Sequence, residues 1–403
     1  MHEDLRLLLR WSGEKALLDD LPPVLIDIVT ARLGRFLERL RQTDSQRSET
    51  LKRRIRELPD ASLIRLLTAP QSFYLVTHLF KTHEDQSAQI LSDALDAEAC
   101  RLGDPPALTR PVWGILGDCY YPANADDGAE TQEQWSWRPD RPYRAPRLSI
   151  GMPVDAYSPN ARGELPDVVG SDVDFLPEEV GDAVEKLSAT VEAMRASCPE
   201  ALDTVSRFSR ALVIRKDPGP ASNFFPSSTR MCIGRPVFRN PHLPGVRPSD
   251  LAEALVHESI HAIIDTTELR KSLLLAKDFQ RPEMPSPWTG RVLDTNTYIQ
   301  ACFIWYGLWN FWLRAIPTNA FPHQDVLHRL QQTSKGFAAQ DVVKPLEDRG
   351  VRDEVLEVLR QAQSDVHSSL DLVQQAYRET VNEAFVHERR RPTPSLSPGP
   401  EMR

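Results

Sequence analysis

Leu251-Ala252-Glu253-Ala254-Leu255-Val256-His257-Glu258-Ser259-Ile260-His261-Ala262-Ile263-Ile264 is an apolar run broken by two histidines and two glutamates. Within it, His257-Glu258-Ser259-Ile260-His261 has the form H-E-x-x-H. A four-residue step is just over one helical turn, so both imidazoles leave one face and can share a metal ion. Glu258, turned by about 100° from His257, lies within reach of a metal-bound water. Pro248-Ser249-Asp250 supplies a turn residue, an expected N-cap at Ser249 and an acidic first turn. The apolar flanks predict a buried helix, where two histidines and a glutamate are costly unless something satisfies them. Main-chain carbonyls and a salt bridge could satisfy them; a metal ion does so with this particular spacing. The motif therefore points to a mononuclear metalloenzyme with His257 and His261 as ligands and Glu258 as its catalytic carboxylate.

A chain of 403 residues with 41% hydrophobic and 26% charged residues can bury a large core. The net charge of −9 argues against a nucleic-acid partner, since no domain-wide basic surface would attract phosphates. Arg389-Arg390-Arg391 is a short basic run and reads as a solvated tail feature. Five cysteines with no C-x-x-C pair fit a reducing compartment, not a disulfide framework or a cysteine zinc site. No signal peptide is visible, and the most apolar window, Phe303 to Leu313, is too short to span a bilayer. The expectation is a cytoplasmic protein that engages neither membrane nor nucleic acid.

Upstream, Leu5 to Leu9, Val24 to Leu40 and Leu63 to Phe80 have helical periodicity, with turns expected at Leu21-Pro22-Pro23 and Leu58-Pro59-Asp60. From Gly103 to Ser171, prolines and tryptophans suggest irregular structure and short strands. Arg147–Met152, Leu212–Arg215 and Arg230–Gly234 read as strands, and Pro177 to Met194 as a helix. Beyond the motif, Pro282 to Trp288 reads as a loop, followed by a helix from Asp294 to Ala315. Trp305, Trp309 and Trp312 on that helix are spaced as core residues. Val351 to Phe385 reads as one or two amphipathic helices, and Pro392 to Arg403 as a disordered tail. The fold class expected is α+β and mostly helical. An N-terminal helical region (1–105) packs on a zincin-like HExxH helix core with a few short strands (106–390), and a tail covers 391–403.

Two histidines do not complete a metal site. Catalytic zinc usually takes a third protein ligand and keeps one position for water. Mononuclear Fe(II) oxygenases hold the metal with two histidines and a carboxylate. Asp294, at the start of the downstream helix, is the first candidate for a third ligand, and Glu283 the second. Asp265 could continue the His261 face, but reads first as a helix-end charge. The longer H-E-x-x-H-x-x-G-x-x-H pattern is absent, because Ile264 and Thr267 stand at its glycine and third histidine positions.

Phe225-Pro226-Ser227-Ser228, the motif segment, Ser286-Pro287-Trp288 and the aromatic helix ending Trp309-Asn310-Phe311-Trp312 together resemble a known family. It comprises the HExxH-type peptide-modification proteins associated with ribosomally synthesised, post-translationally modified peptides. The likeness runs from Phe224 to Leu313, and only its HExxH core is specific. The resemblance implies Fe(II)- and 2-oxoglutarate-dependent β-hydroxylation of a peptide side chain. Where the family tends to carry Arg-Pro and then His-Gly, this chain has Gly290-Arg291-Val292-Leu293-Asp294-Thr295. Arg291 is then the nearest candidate to clamp 2-oxoglutarate, with Arg281 next, because a guanidinium pairs bidentately with a carboxylate. Two alternatives stand beside this reading. One is a zinc metallopeptidase using Glu258 as general base. The other is a non-catalytic peptide-binding partner.

Overall fold

Helices fill the first hundred residues. They are α1 (His2–Leu8), α2 (Ala16–Thr43), α3 (Ser45–Arg56), α4 (Asp60–Thr68), α5 (Pro70–Thr77) and α6 (Glu84–Leu102). The computed structural model describes residues 2–13, 16–123, 135–163, 173–217, 223–275 and 282–390. Arg281 and the tail at 391–403 lie outside these residues. The helical pattern from Leu63 to Phe80 is divided at Ala69-Pro70: Ala69 is extended and Pro70 opens α5 as its first residue. The turn expected at Leu21-Pro22-Pro23 is instead helical, and α2 runs through both prolines. The two missing N–H groups fall in the opening turns of a long helix, most of whose bonds remain.

Short strands follow. An antiparallel sheet joins β1 (Val112–Trp113), β2 (Cys119–Tyr121) and β3 (Tyr143–Arg144). A second sheet contains β4 (Val154–Asp155), β5 (Leu212–Arg215), β6 (Phe225–Ser227) and β7 (Val237–Arg239) in the order β4-β5-β7-β6. Its β4, β5 and β7 are parallel, and β6 runs antiparallel along one edge. Between β4 and β5 lie α7 (Pro159–Arg162), α8 (Pro177–Ser197) and α9 (Pro199–Phe208). The strand expected at Leu212–Arg215 forms and is fully buried. Arg147–Met152 is a tight turn: Leu148 N donates to Met152 O at 3.0 Å around Gly151, whose φ is +79°. Arg230–Gly234 is also turn, with Arg235 N donating to Cys232 O at 3.1 Å.

The motif helix α10 (Pro248–Arg270) contacts α2, α8, α9 and β6. Ser249 lies inside it and is not its N-cap. Pro248 takes the first helical position, and Asp250 accepts a hydrogen bond from Arg247 N at 2.8 Å. Ser249 Oγ instead donates to Asp325 at 2.7 Å. Downstream, Pro282–Pro285 is a strand, β8, paired with β9 (Val292–Asp294), where the sequence suggested a loop. Then come α11 (Thr295–Ala315), α12 (His323–Ala339) and α13 (Asp353–Arg390).

Helix α11 presses against α10 at Gly307. A Cβ there would stand 2.6 Å from Ile260 Cδ1, so a side chain at this position would push the two helices apart. Trp309 and Trp312 are fully buried, and Trp305 stacks on Trp288 with centroids 5.8 Å apart. One apolar core runs from Leu5 to Val373 and joins the N-terminal helices to α10 and α11. The architecture is mostly helical α+β with small sheets, and among the described residues no zincin core is identifiable. Among the described residues no helix is long and apolar enough to cross a membrane.

Candidate metal centre

His257 and His261 leave α10 on one face, their ring centroids 5.1 Å apart and their planes inclined by 56°. The His257 side chain keeps 33% of its surface exposed, while Glu258 keeps 3%. The pair thus lies at a surface opening and the carboxylate beneath it. Partial desolvation lowers the His257 imidazole below its ordinary value. Burial, then the neighbouring His257, lowers His261 as well. Both rings are therefore neutral near pH 7, the protonation state that offers a metal a lone pair.

Gln300 on α11 fixes the tautomer of His261. Its Oε1 lies 2.8 Å from His261 Nδ1, and a carbonyl oxygen can only accept, so Nδ1 carries the proton. The amide is oriented by its own donations from Nε2, to Asn296 Oδ1 at 3.0 Å and Asp265 Oδ1 at 3.3 Å. His261 Nε2 is left as the lone-pair nitrogen. Asn296 Nδ2 extends the chain to Glu268 at 2.7 Å, and Arg230 closes it by pairing with both Asp265, at 2.9 Å, and Glu268.

Glu258 is poised differently. Its Oε1 stands 4.0 Å from His257 Nε2, and its Oε2 is buried with no hydrogen-bond partner among the described residues. Burial raises its carboxyl, opposed by His261 and the Ser228 hydroxyl. Ser228 follows β6 directly, so the edge strand ends beside this carboxylate.

The other residues singled out in the sequence fall elsewhere. Asp294 is the N-cap of α11, its Oδ1 accepting from Thr297 N at 2.7 Å. Asp265 is committed to Arg230 and Gln300. Arg291 is exposed at the turn joining β8 to β9, where its carbonyl accepts from Ser286 N at 2.7 Å. Glu283 is placed in β8, with its side chain outside the described residues. Among the described residues no three His, Cys, Asp or Glu side chains are grouped to hold a metal. The two histidines fit a metal as neutral, one-sided donors, and they stand as a pair. Sequence reasoning missed Gln300, and it quoted Ser228 only within the Phe225–Ser228 segment of the resemblance, without its place beside Glu258. The available signal for Gln300 was Asn296 and Gln300, two amides one turn apart on an otherwise apolar helix. No family model and no curated protein matches this chain.

Proposed function

We propose that the chain is a metal-dependent hydrolase acting on peptides, with His257 and His261 holding the ion and Glu258 as general base. The observation that carries this reading is the buried Glu258 carboxylate next to the two histidines, with Oε1 4.0 Å from His257 Nε2 and Oε2 without a hydrogen-bond partner among the described residues. An acceptor left unpaired in an apolar setting costs about 1–3 kcal/mol, and a water held at the histidine pair would satisfy it. Zinc bound there would polarise that water and lower its pKa toward neutrality. Glu258 would accept the proton of that water, a transfer helped by the burial that raises its carboxyl. Gln300 holds the His261 ring so that Nε2 keeps facing the ion.

Edge strand β6 supports a peptide substrate. Among the described residues no strand pairs with its outer side, and an extended chain can pair with such an edge. Phe225 on β6 is 50% exposed and offers an apolar contact. The Fe(II)/2-oxoglutarate alternative rests on the sequence resemblance and on Arg291 as the co-substrate clamp. Arg291 stands exposed at a hairpin turn, whereas a dicarboxylate clamp works best in a walled pocket. Purified protein loaded with zinc, or with iron plus 2-oxoglutarate, is incubated with a library of unstructured peptides and read by mass spectrometry. Cleavage with zinc supports hydrolysis. A gain of about 16 Da with succinate release supports the oxygenase and overturns the hydrolase.

A further inference from the structure

A cleft of about 590 Å³ opens along the same face of α10, one turn beyond the histidines. Asp265, Glu268 and Leu269 form its floor from α10, and Arg32, Phe73 and Lys81 contribute from the N-terminal helical region. Four residues separate His261 from Asp265, which is about 6 Å along the helix axis. The chain leaving β6 follows the same path: Ser228 lies by Glu258, and Arg230 lies by Asp265. A peptide lying along β6 toward the histidines would therefore run into this cleft.

The charges in the cleft are uneven. Asp265 and Glu268 are both engaged by Arg230. Arg32 and Lys81 have no carboxylate partner among the described residues. Arg32 sits half-buried with its guanidinium 5.8 Å from the centre of the Phe73 ring. Burial, then the neighbouring Arg35, disfavours its charged form. A bound anion would relieve both effects. Phe73, Met231, Ile233, Leu269 and Leu274 line the rest of the cleft with apolar surface.

We infer that this cleft is the specificity pocket of the proposed peptide site, and that it receives an acidic side chain next to an apolar one, the carboxylate meeting Arg32 and Lys81. The inference rests on the reading of the histidine pair as a peptide-processing centre and names that centre's substrate class. A guanidinium and an ammonium together favour a carboxylate over its neutral amide by charge-assisted hydrogen bonds.

The test uses the full chain carrying Glu258→Gln, so that no probe is consumed, with calorimetric or NMR titration of acetyl-Leu-Glu-amide, acetyl-Leu-Gln-amide and glutarate. The glutamate peptide should bind at least about tenfold more tightly than the glutamine peptide, a difference of about 1.4 kcal/mol. Arg32→Gln and Lys81→Gln should each erase most of that preference without changing the melting temperature. Lys81 is exposed, so its variant folds even if Arg32→Gln does not. Equal binding of the two peptides, or a preference unchanged in Lys81→Gln and Arg32→Gln, overturns the inference. Glutarate binding as tightly as the glutamate peptide also overturns it, because the cleft would then serve a free dicarboxylate. Adding His261→Ala separates the two readings: glutamate preference that persists in this variant shows that the cleft binds independently of the histidine pair, so that absence of cleavage by the zinc-loaded parent would then overturn the hydrolase and leave the cleft standing.

Discussion

Gln300 Oε1 accepts a hydrogen bond from His261 Nδ1 at 2.8 Å, and this one contact decides which imidazole nitrogen can face an ion. The partner comes from α11, which Gly307 allows to pack close to α10. Gln300→Leu keeps the helix contact and removes the acceptor, so both tautomers of His261 become available. Metal affinity should fall about 10–100-fold, measured by competition with a chromogenic chelator. Unchanged affinity would show that Gln300 has only a packing role.

Glu258→Gln should keep the metal and lose the chemistry. The amide is nearly isosteric, and the carboxylate's Oε1 lies 4.0 Å from His257 Nε2, outside hydrogen-bond range. Metal content should match the parent protein, while hydrolytic turnover drops by about 10²–10⁴-fold, the usual contribution of a general base. Turnover within a few-fold of the parent would remove Glu258 from the proton transfer.

Arg329 on α12 ties down the first turns of the motif helix. It donates to Glu253 at 2.7 Å and pairs with Asp250, while Trp312 Nε1 donates to Glu253 at 3.1 Å. Burial raises the Glu253 carboxyl, and Arg329 is the largest influence opposing it. Arg329→Met leaves the buried Glu253 carboxylate without its cation, while Asp250 keeps Arg247, and should cost about 2–4 kcal/mol, read from urea unfolding. The double variant with Glu253→Gln should recover part of that loss.

Asp155 sits fully buried at the end of β4, in the sheet whose edge is β6. Burial pushes its carboxyl from 3.8 up to about 6, against donations from Ser158 and Tyr157. Between these values the folded chain holds a proton that the unfolded chain has released. Its contribution to stability is therefore full below about pH 4 and is lost as pH rises through about 6. Asp155→Asn carries no such titration. From pH 4 to 7 the variant should gain about 2 kcal/mol relative to the parent, measured by denaturant unfolding at each pH.

Much of the helical framework was legible in the residues because apolar side chains recur with helical period through α2, α8, α10 and α11. Short strands were harder. Leu212–Arg215 is an apolar run and formed as expected. Arg147–Met152 and Arg230–Gly234 are bent by Gly151 and Gly234, whose positive φ values end extended structure. Pro282–Pro285 looked like a loop because prolines seldom sit in strands, yet it forms one side of a lone two-stranded pair, where lost donors matter little. At the site, the His257/His261 pairing follows from a four-residue spacing. The partners that orient it come from α11 and the β6 edge, and a contact between distant elements leaves no local pattern. Asp294 shows the converse: a carboxylate opening a helix can serve as a cap as readily as a ligand, and here it bonds Thr297 N.

Metal stoichiometry is the most direct test of the central claim. Chelator-stripped protein is titrated with zinc, in parallel with His257→Ala and His261→Ala, with bound metal measured by inductively coupled plasma mass spectrometry after gel filtration. The account predicts about one ion per parent chain and a large loss in both variants, each of which removes one of the two nitrogen ligands. Parent protein that retains no metal, or variants that retain as much as the parent, would contradict it.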